Sequence, residues 1–253
     1  MEKAIIIQGR LDSKRFPQKI LKKIDNRTVL QFLIDSLLDY FDKKEIIIAT
    51  TEKKSDKKIC KIAQNNDLKY FCGSENNLLN RYLKCSKKYK IKNIIRVTSD
   101  CPLADPRLIK KMYNFFIKKK LDYYSNTYPP DKSKFPDGSD IEIFTNKSLN
   151  KLNKIPQKKE DKEHIYGFWK KKKYFKIKIL KSKKDISQFK YSIDYNSDLF
   201  LVRKVVKILK KKKLLITPKN VTTIIKEDKK LQKISNKNRI LYLKNKNFKN
   251  IVL

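Results

Sequence analysis

The stretch IIIQGRLDSKRFPQKI, residues 5–20, decides the fold of this chain. Its apolar part is short and stops at Gly9, a pattern typical of a strand buried inside a sheet. Before a helical pattern begins near Thr28, five residues follow at close spacing: Arg10, Ser13, Arg15, Pro17 and Lys19. Open α/β sheets bind ligands just beyond the carboxyl ends of their strands, where guanidinium and ammonium groups can bind phosphate oxygens. The stretch therefore predicts a binding site for a polyphosphate.

The first 120 residues alternate apolar strand patterns with amphipathic helix patterns. The strand patterns cover residues 4–8, 45–49, 68–71 and 93–98, and the helix patterns cover residues 29–41, 56–66, 76–89 and 106–119. Repeated strand–helix units of this kind predict a parallel sheet with right-handed crossover connections.

The pattern changes after Lys120. We expect short strands at residues 122–124, 140–145, 175–180 and 191–193, a proline-containing loop at residues 128–138, and a helix at residues 197–209. The predicted fold class is α/β, with a Rossmann-like, mostly parallel sheet flanked by helices and a small β-containing insertion. We expect one domain over residues 1–213, with the insertion at about residues 122–185, and a Lys/Asn-rich C-terminal extension over residues 214–253 that the pattern places only loosely.

The formal net charge of +38 raises the question of a nucleic-acid partner, because a basic surface attracts phosphate backbones. Only eight of the 64 basic residues are arginine, which leaves 56 lysines. Surfaces that read nucleic acids favour the arginine fork. Abundant Asn, Ile, Tyr and Phe accompany the lysines, and this joint bias indicates A/T-rich coding. We therefore expect solvated lysine faces and no specific nucleic-acid partner.

The remaining composition bears on the compartment. No stretch approaches the roughly eighteen consecutive apolar residues of a membrane span, so we expect no membrane partner, and the N-terminus lacks a signal-peptide layout. The cysteines have no CxxC spacing and His164 is the only histidine, which argues against a structural zinc or a disulfide framework. These features predict a cytoplasmic protein. We interpret His164, beside Glu163, as a surface or capping group and not as a catalytic base.

A second marker is VTSDCPLADP, residues 97–106. Asp100 directly follows a predicted strand, where a divalent cation could bridge a carboxylate and phosphate oxygens. Asp105 precedes Pro106 and is typical of a helix N-cap. Capping does not explain Asp100.

A third marker is Asp137-Gly138-Ser139-Asp140-x-Glu142. It is either a polar substrate pocket or a turn that enters a strand, because Asp-Gly is a strong turn signal. The sequence by itself leaves both interpretations open.

Taken together, Arg10-x-x-Ser13-x-Arg15-x-Pro17-x-Lys19 and Asp100-x-Pro102-Leu103-x-Asp105 resemble motifs of the cytidylyltransferases that activate sugar acids as CMP-sugars. These enzymes include the acylneuraminate and 3-deoxy-manno-octulosonate cytidylyltransferases. The resemblance is greatest to the branch of the spore coat polysaccharide biosynthesis protein SpsF. Similar blocks lie, in the same order, at residues 77–82, 125–127, 136–142, 163–165 and 192–199.

This resemblance implies a sheet of the nucleotide-diphospho-sugar transferase type and a reaction that needs Mg²⁺. CTP and a sugar acid would give a CMP-sugar and pyrophosphate, for surface polysaccharide biosynthesis. It also implies a homodimer.

The resemblance further assigns roles to residues. Arg10, Arg15 and Lys19 would hold the triphosphate and, with Asp100, carry the catalysis. The remaining implied contacts are Ser13 on a phosphate oxygen, Gln8, Gly9 and Arg81 near the nucleotide, Asp100 and Asp194 on the metal, and Asp137, Asp140 and Glu142 on the acceptor substrate.

The chain departs from the family at two positions. Asp12 and Gln18 stand where glycine is common, and glycine lets a backbone approach phosphate closely, so their presence shifts binding towards side chains.

Two alternative functions stay open. One alternative is a glycosyltransferase of similar fold, but Asp100-Cys101-Pro102 does not supply the Asp-x-Asp metal motif that it would need. The other is a basic nucleic-acid-binding protein, which predicts binding with a steep salt dependence.

Overall fold

The fold was obtained as a computed structural model that describes residues 1–126, 130–156, 165 and 167–245. The strands of the described residues are β1 (Lys3–Gln8), β2 (Lys23–Ile24), β3 (Arg27–Thr28), β4 (Ile46–Thr51), β5 (Lys69–Gly73), β6 (Asn93–Thr98), β7 (Tyr123–Ser125), β8 (Glu142–Thr145) and β9 (Ile177–Ile179). The helices are α1 (Val29–Leu38), α2 (Lys57–Asn65), α3 (Leu78–Lys88), α4 (Pro106–Lys118), α5 (Pro130–Ser133), α6 (Asn146–Lys154), α7 (Gly167–Lys170), α8 (Asn196–Lys211), α9 (Pro218–Glu227) and α10 (Lys229–Asn245).

The main sheet has the strand order β5-β4-β1-β6-β8-β7-β9. Strand β1 lies between β4 and β6 and is parallel to both, with Ile6 opposite Ile47 on one side and Arg96 on the other. Side chains alternate between the two faces of the sheet. Ile5 and Ile7 pack towards α1, α2 and α4, whereas Ala4 and Ile6 pack towards α3 and α6. Both faces are covered, which explains the uninterrupted apolar run that begins the chain.

The sheet confirms the predicted α/β class and its mostly parallel character. Strand β8 is the exception, because it runs antiparallel to both β6 and β7, while β9 is parallel to β7. The strands predicted within the insertion therefore extend the main sheet. The division into a domain of residues 1–213 and an extension stays a prediction.

The predicted strand at residues 191–193 was wrong. Lys190 forms one isolated bridge with Asp137, and the next residues bond to separate loops: the Tyr191 N–H donates to the Asp137 carbonyl and the Ile193 N–H to the Asp100 carbonyl. The apolar alternation reflects burial between loops and not a ladder. Part of the loop predicted at residues 128–138 also forms the single turn α5.

The described part of the C-terminal region, which the sequence placed only loosely, contains α9 and α10. Its apolar residues pack with those of α8 in a third cluster that includes Val202, Val205, Val221, Ile225 and Leu231. Lysine and asparagine dilute the apolar pattern, and this made the helices hard to recognise from sequence. None of the helices in the described parts of the chain combines the length and the apolar character needed to cross a membrane.

Gly138, in the loop before β8, lies close to the backbone of Tyr191 and Ser192. Its φ is 113°, and a Cβ there would lie 2.5 Å from Cδ2 of Tyr191 and 2.6 Å from the backbone nitrogen of Ser192. We expect Gly138→Ala to lower the free energy of unfolding by at least about 2 kcal/mol, measured by urea denaturation. Lys134→Ala, at an exposed position of the same segment, should change it by less than about 0.5 kcal/mol. Equal unfolding free energies for both variants would contradict the close approach.

Candidate active site

A cleft of about 610 Å³ opens at the edge of the sheet where β1 and β6 end. It brings together every residue to which the family resemblance assigned a catalytic, nucleotide-binding, substrate-binding or metal-binding role. These lining residues are Gln8, Gly9, Arg10, Ser13, Arg15, Lys19, Arg81, Asp100, Asp137, Asp140, Glu142 and Asp194. The roles themselves stay predictions. His164, interpreted from sequence as a surface group, lies outside the described residues.

The loop after β1 is held by local backbone geometry. A Cβ at Gly9 would lie 2.7 Å from Oγ of Ser99, so a larger residue at this position would require the Ser99 hydroxyl to move. Gln18 has φ 53°, in the left-handed region that favours glycine, which gives a physical reason for a glycine preference at this position. The Asp12 carboxylate accepts from Lys53 at 2.7 Å, so its negative charge is paired in the loop.

Four charged residues converge at the base of this loop. The Lys19 Nζ lies 2.6 Å from Oδ2 of Asp100 and 3.1 Å from Oδ1 of Asp194. The Arg15 guanidinium donates to the same Asp194 oxygen at 2.7 Å, although the two residues are 179 positions apart. The fold thus places two cations and two carboxylates from three distant segments at one point.

The charges around Asp194 control its protonation. Burial alone would raise the pKa of Asp194, but Lys19, Lys190 and Arg15 outweigh it and hold that pKa well below the ordinary value. In the same way, burial lowers the pKa of Lys19, whereas the Asp100 and Asp194 carboxylates raise it, and the net shift is upward. The cluster is therefore fully ionised at neutral pH.

Lys190 forms ion pairs with this cluster from the buried side. Its side chain is completely buried, and its Nζ lies 3.2 Å from Oδ2 of Asp194 and 3.0 Å from Oδ2 of Asp198. The same Asp198 oxygen accepts from the backbone N–H groups of Asp194 and Tyr195, each at 2.9 Å, at the start of α8. Sequence reasoning missed Lys190, because one lysine among 56 carries no signal.

A second network fixes the amide of Gln8. Arg96 Nε donates to Gln8 Oε1 at 3.0 Å. Because an arginine N–H can only donate, the atom that it meets must be the amide oxygen. The NH₂ group of the Gln8 amide is therefore the end that can donate to a ligand in the cleft.

Glu142 holds Arg96 in place. It is 3% exposed, its Oε2 forms an ion pair with Arg96, and its Oε1 accepts from the Tyr123 hydroxyl at 2.5 Å. These contacts favour a positioning role over the direct substrate contact that the family resemblance implies.

Arg81 also makes structural contacts. Its Nε and NH2 donate to the Ser74 carbonyl at 2.9 and 2.7 Å, and NH2 reaches the Glu75 carbonyl at 3.2 Å. Burial lowers the pKa of Arg81. The residue therefore shapes the loop that forms one wall of the cleft.

Most arginines of the chain line the cleft. Five of the eight in the chain line it, namely Arg10, Arg15, Arg81, Arg96 and Arg239, whereas among the described residues the lining lysines are Lys14 and Lys19. Sequence reasoning missed Arg96 and Arg239 as site residues. The scarcity of arginine in the chain could have indicated them, because arginine is retained where its planar guanidinium is needed.

Comparison with known proteins identifies the family of this chain. The profile of the cytidylyltransferases matches residues 4–247. The chain belongs to the cytidylyltransferase family. The match confirms the resemblance seen in the motifs, and it includes α9 and α10 within the family's sequence.

Two curated relatives of this cytidylyltransferase-family chain are similar over part of their length. An uncharacterized protein of Methanocaldococcus jannaschii is 34% identical over 160 residues, 63% of each chain. The spore coat polysaccharide biosynthesis protein SpsF of Bacillus subtilis is 31% identical over 122 residues, 47% of this chain and 51% of SpsF. The alignments thus span less than two thirds of either relative.

Solved structures agree with the family assignment. A cytidylyltransferase from Leptospira borgpetersenii has a TM-score of 0.84 and 29% identity, and the match covers 93% of this chain and 98% of that one. The CMP:2-keto-3-deoxy-manno-octonic acid synthetase solved with CTP has a TM-score of 0.62 and 16% identity over 82% and 99% of the two chains, which shows a shared fold.

The depressed pKa of Asp194 makes stability depend on pH. In the unfolded chain this carboxyl takes up a proton near its ordinary value of 3.8, whereas in the folded protein its pKa is lower. The stabilisation is therefore complete above about pH 4 and is lost as the pH falls further, at up to about 1.4 kcal/mol per pH unit. Urea unfolding from about pH 2.5 to about pH 7 measures this slope.

We expect Asp194→Asn to flatten the acid limb of that profile. Asp39→Asn, the same change at an exposed position at the end of α1, is the matched control. An unchanged acid slope in Asp194→Asn would contradict the charge cluster.

Proposed function

We propose that this protein is a Mg²⁺-dependent cytidylyltransferase that transfers CMP from CTP to a sugar acid or related glycan precursor and releases pyrophosphate. The observation that carries the proposal is the convergence of Arg15, Lys19, Asp100 and Asp194 beside the loop after β1. Membership of the cytidylyltransferase family supports CTP as the nucleotide.

The reaction suits this arrangement of charges. A hydroxyl of the acceptor attacks the α-phosphorus of CTP, and the bond to the pyrophosphate oxygen breaks. Such a transfer needs alignment and charge neutralisation more than covalent catalysis. Arg10, Arg15 and Lys19 would bind the phosphates. Because carboxylates already hold Arg15 and Lys19 in the cleft, these cations need little reorganisation when the nucleotide binds.

The pair Asp100 and Asp194 fits a magnesium ion. No described trio of acidic, histidine or cysteine side chains forms a complete protein cage for a metal. Magnesium, however, commonly takes one or two carboxylates and completes its coordination with phosphates and water. Both carboxylates approach the same Lys19 ammonium, so their oxygens lie close together. When bound, Mg²⁺ would neutralise charge on the reacting phosphate.

The fixed amide of Gln8 gives a physical reason why the site would prefer cytosine as the base of the nucleotide. Its amide oxygen is engaged by Arg96, so its NH₂ group is the end that can donate to a base. Cytosine carries an acceptor at ring nitrogen N3, whereas uracil carries an N–H there. A fixed donor therefore favours cytosine, since an N–H facing an N–H leaves both polar groups unpaired.

The similarity to SpsF supports a place in polysaccharide biosynthesis, because that relative is named for the spore coat polysaccharide. The cytoplasm, where CTP is made, is the compartment that we propose for the reaction. The homodimer stays a prediction of the family resemblance.

Nucleotide selectivity tests the proposal. Thermal stabilisation is measured with CTP, UTP, ATP and GTP, each with Mg²⁺ and with excess chelator. We expect selective stabilisation by CTP with Mg²⁺, about 2.7 kcal/mol at a hundred times the dissociation constant. Arg15→Ala should abolish it, and Asp100→Asn should abolish the part that depends on Mg²⁺. Arg27→Ala, which removes an exposed arginine outside the cleft, is the charge-matched control. An equal response to all four nucleotides would refute the assignment to CTP.

Gln8→Glu tests the base contact. The variant replaces the NH₂ donor with a carboxylate oxygen, so we expect the dissociation constant for CTP to rise by at least about tenfold and the preference over UTP to shrink. Isothermal titration calorimetry measures both. Gln64→Glu, an amide-to-acid change on α2 outside the cleft, should bind CTP as the wild type does. Unchanged selectivity in Gln8→Glu would exclude Gln8 from recognising the base.

A further inference from the structure

The C-terminal helix α10 is locked onto the segment that carries Asp194. The Ser235 hydroxyl accepts from the Lys190 N–H at 2.7 Å and donates to the Lys190 carbonyl at 2.9 Å. Asn238 donates at 2.8 Å to both Ser197 Oγ and Asp198 Oδ1. Asp198 in turn binds the backbone of Asp194. These buried contacts fix the position of α10 relative to the cleft.

The same face of α10 continues into the cleft. Ser235, Asn238, Arg239 and Tyr242 are spaced at intervals of three and four residues, which places them on one side of the helix. Arg239 and Tyr242 line the cleft. The end of the chain therefore contributes side chains to a site whose phosphate-binding cations come from its beginning.

Arg239 is held in place but not tightly paired. The residue is 8% exposed, and its guanidinium lies 5.8 Å from the centroid of the Tyr242 ring. Its NH1 is 3.4 Å from Oδ2 of Asp137. A charge-assisted hydrogen bond to a carboxylate is usually about 2.7–2.9 Å long, so this one is weak. A fork with five N–H donors can make stronger contacts to a ligand carboxylate, which it binds through two parallel hydrogen bonds.

Arg239 contacts a residue that the family resemblance assigns to the acceptor. That residue is Asp137, which precedes β8, whereas Arg10, Arg15 and Lys19 follow β1. Arg239 is thus a cation outside the group that we assign to the triphosphate. Its presence as arginine, in a chain where 56 of 64 basic residues are lysine, favours a role that needs the planar fork.

We propose that Arg239 binds a carboxylate of the acceptor, so that α10 makes the protein select sugar acids over neutral sugars. The inference rests on the proposed function, since it assigns a residue to the acceptor of that same reaction. On binding, the substrate carboxylate replaces the long contact to Asp137 with a bidentate pair.

The test combines a change in the protein with a change in the ligand. Pyrophosphate release from CTP is measured with 3-deoxy-manno-octulosonate and N-acetylneuraminate, and with the methyl ester of each. The proteins are the full chain, Arg239→Gln, Arg239→Lys and the control Lys237→Gln, which removes an exposed charge from the same helix. Melting temperatures establish that each variant folds, and Arg239→Met replaces Arg239→Gln if the latter does not.

We expect the wild type to use at least one acid about tenfold better than its ester, as kcat/KM. Arg239→Gln should lose this preference through a higher KM for the acid, with a change of less than about twofold in the KM for CTP. Arg239→Lys should retain part of the preference, and Lys237→Gln should retain all of it.

Three results would overturn the inference: a wild type that prefers neither acid to its ester, an Arg239→Gln variant that keeps the preference, or one that slows acid and ester equally. Selective stabilisation by CTP is measured separately. Its absence would instead refute the proposed function, and its presence beside a failed acid test would refute the role of Arg239 alone.

Discussion

The shared carboxylate of Asp194 is the interaction on which the cleft depends. Arg15 and Lys19 reach it from the loop after β1, and Lys190 reaches it from the segment before α8. A buried charge is costly unless it is paired, so the buried Lys19 and Lys190 need the carboxylate and the carboxylate needs them, whereas Arg15 is partly exposed. The network joins the loop after β1 to the segment before α8 at the edge of the sheet. It also keeps Arg15 and Lys19, to which we assign the phosphates, in position before a ligand binds.

Much of the fold could be predicted because the central strands are buried on both faces. Burial of that kind produces the short continuous apolar runs that became β1, β4 and β6, and the structure has each within two residues of the predicted position. The site was predictable for a related reason. Both Gly9 and Asp100 follow parallel strands, whose carboxyl ends share one edge of the sheet, so the loops after them had to be neighbours.

The parts that could not be predicted depend on contacts between distant segments. Residues 191–193 have the apolar pattern of a strand, but they bond to loops at Asp137 and Asp100 that no local pattern reveals. Helices α9 and α10 were obscured by lysine and asparagine. Lys190 looks like any other lysine of this chain until the fold places it next to Asp194, and for Arg239 only the rarity of arginine gives a signal before the fold places it beside Asp137.

The reversed direction of β8 has a consequence for how such proteins diversify. Because β8 runs antiparallel to β7, the connection between them leaves and returns at the same edge of the sheet, the edge that carries the cleft. A connection of this kind can lengthen, shorten or change its side chains without shifting the register of any strand. The loop after β1, to which we assign the nucleotide phosphates, is instead tied to a distant segment by the pairs that Arg15 and Lys19 form with Asp194. Descendants of one ancestral enzyme could therefore acquire new acceptors while keeping the same nucleotide.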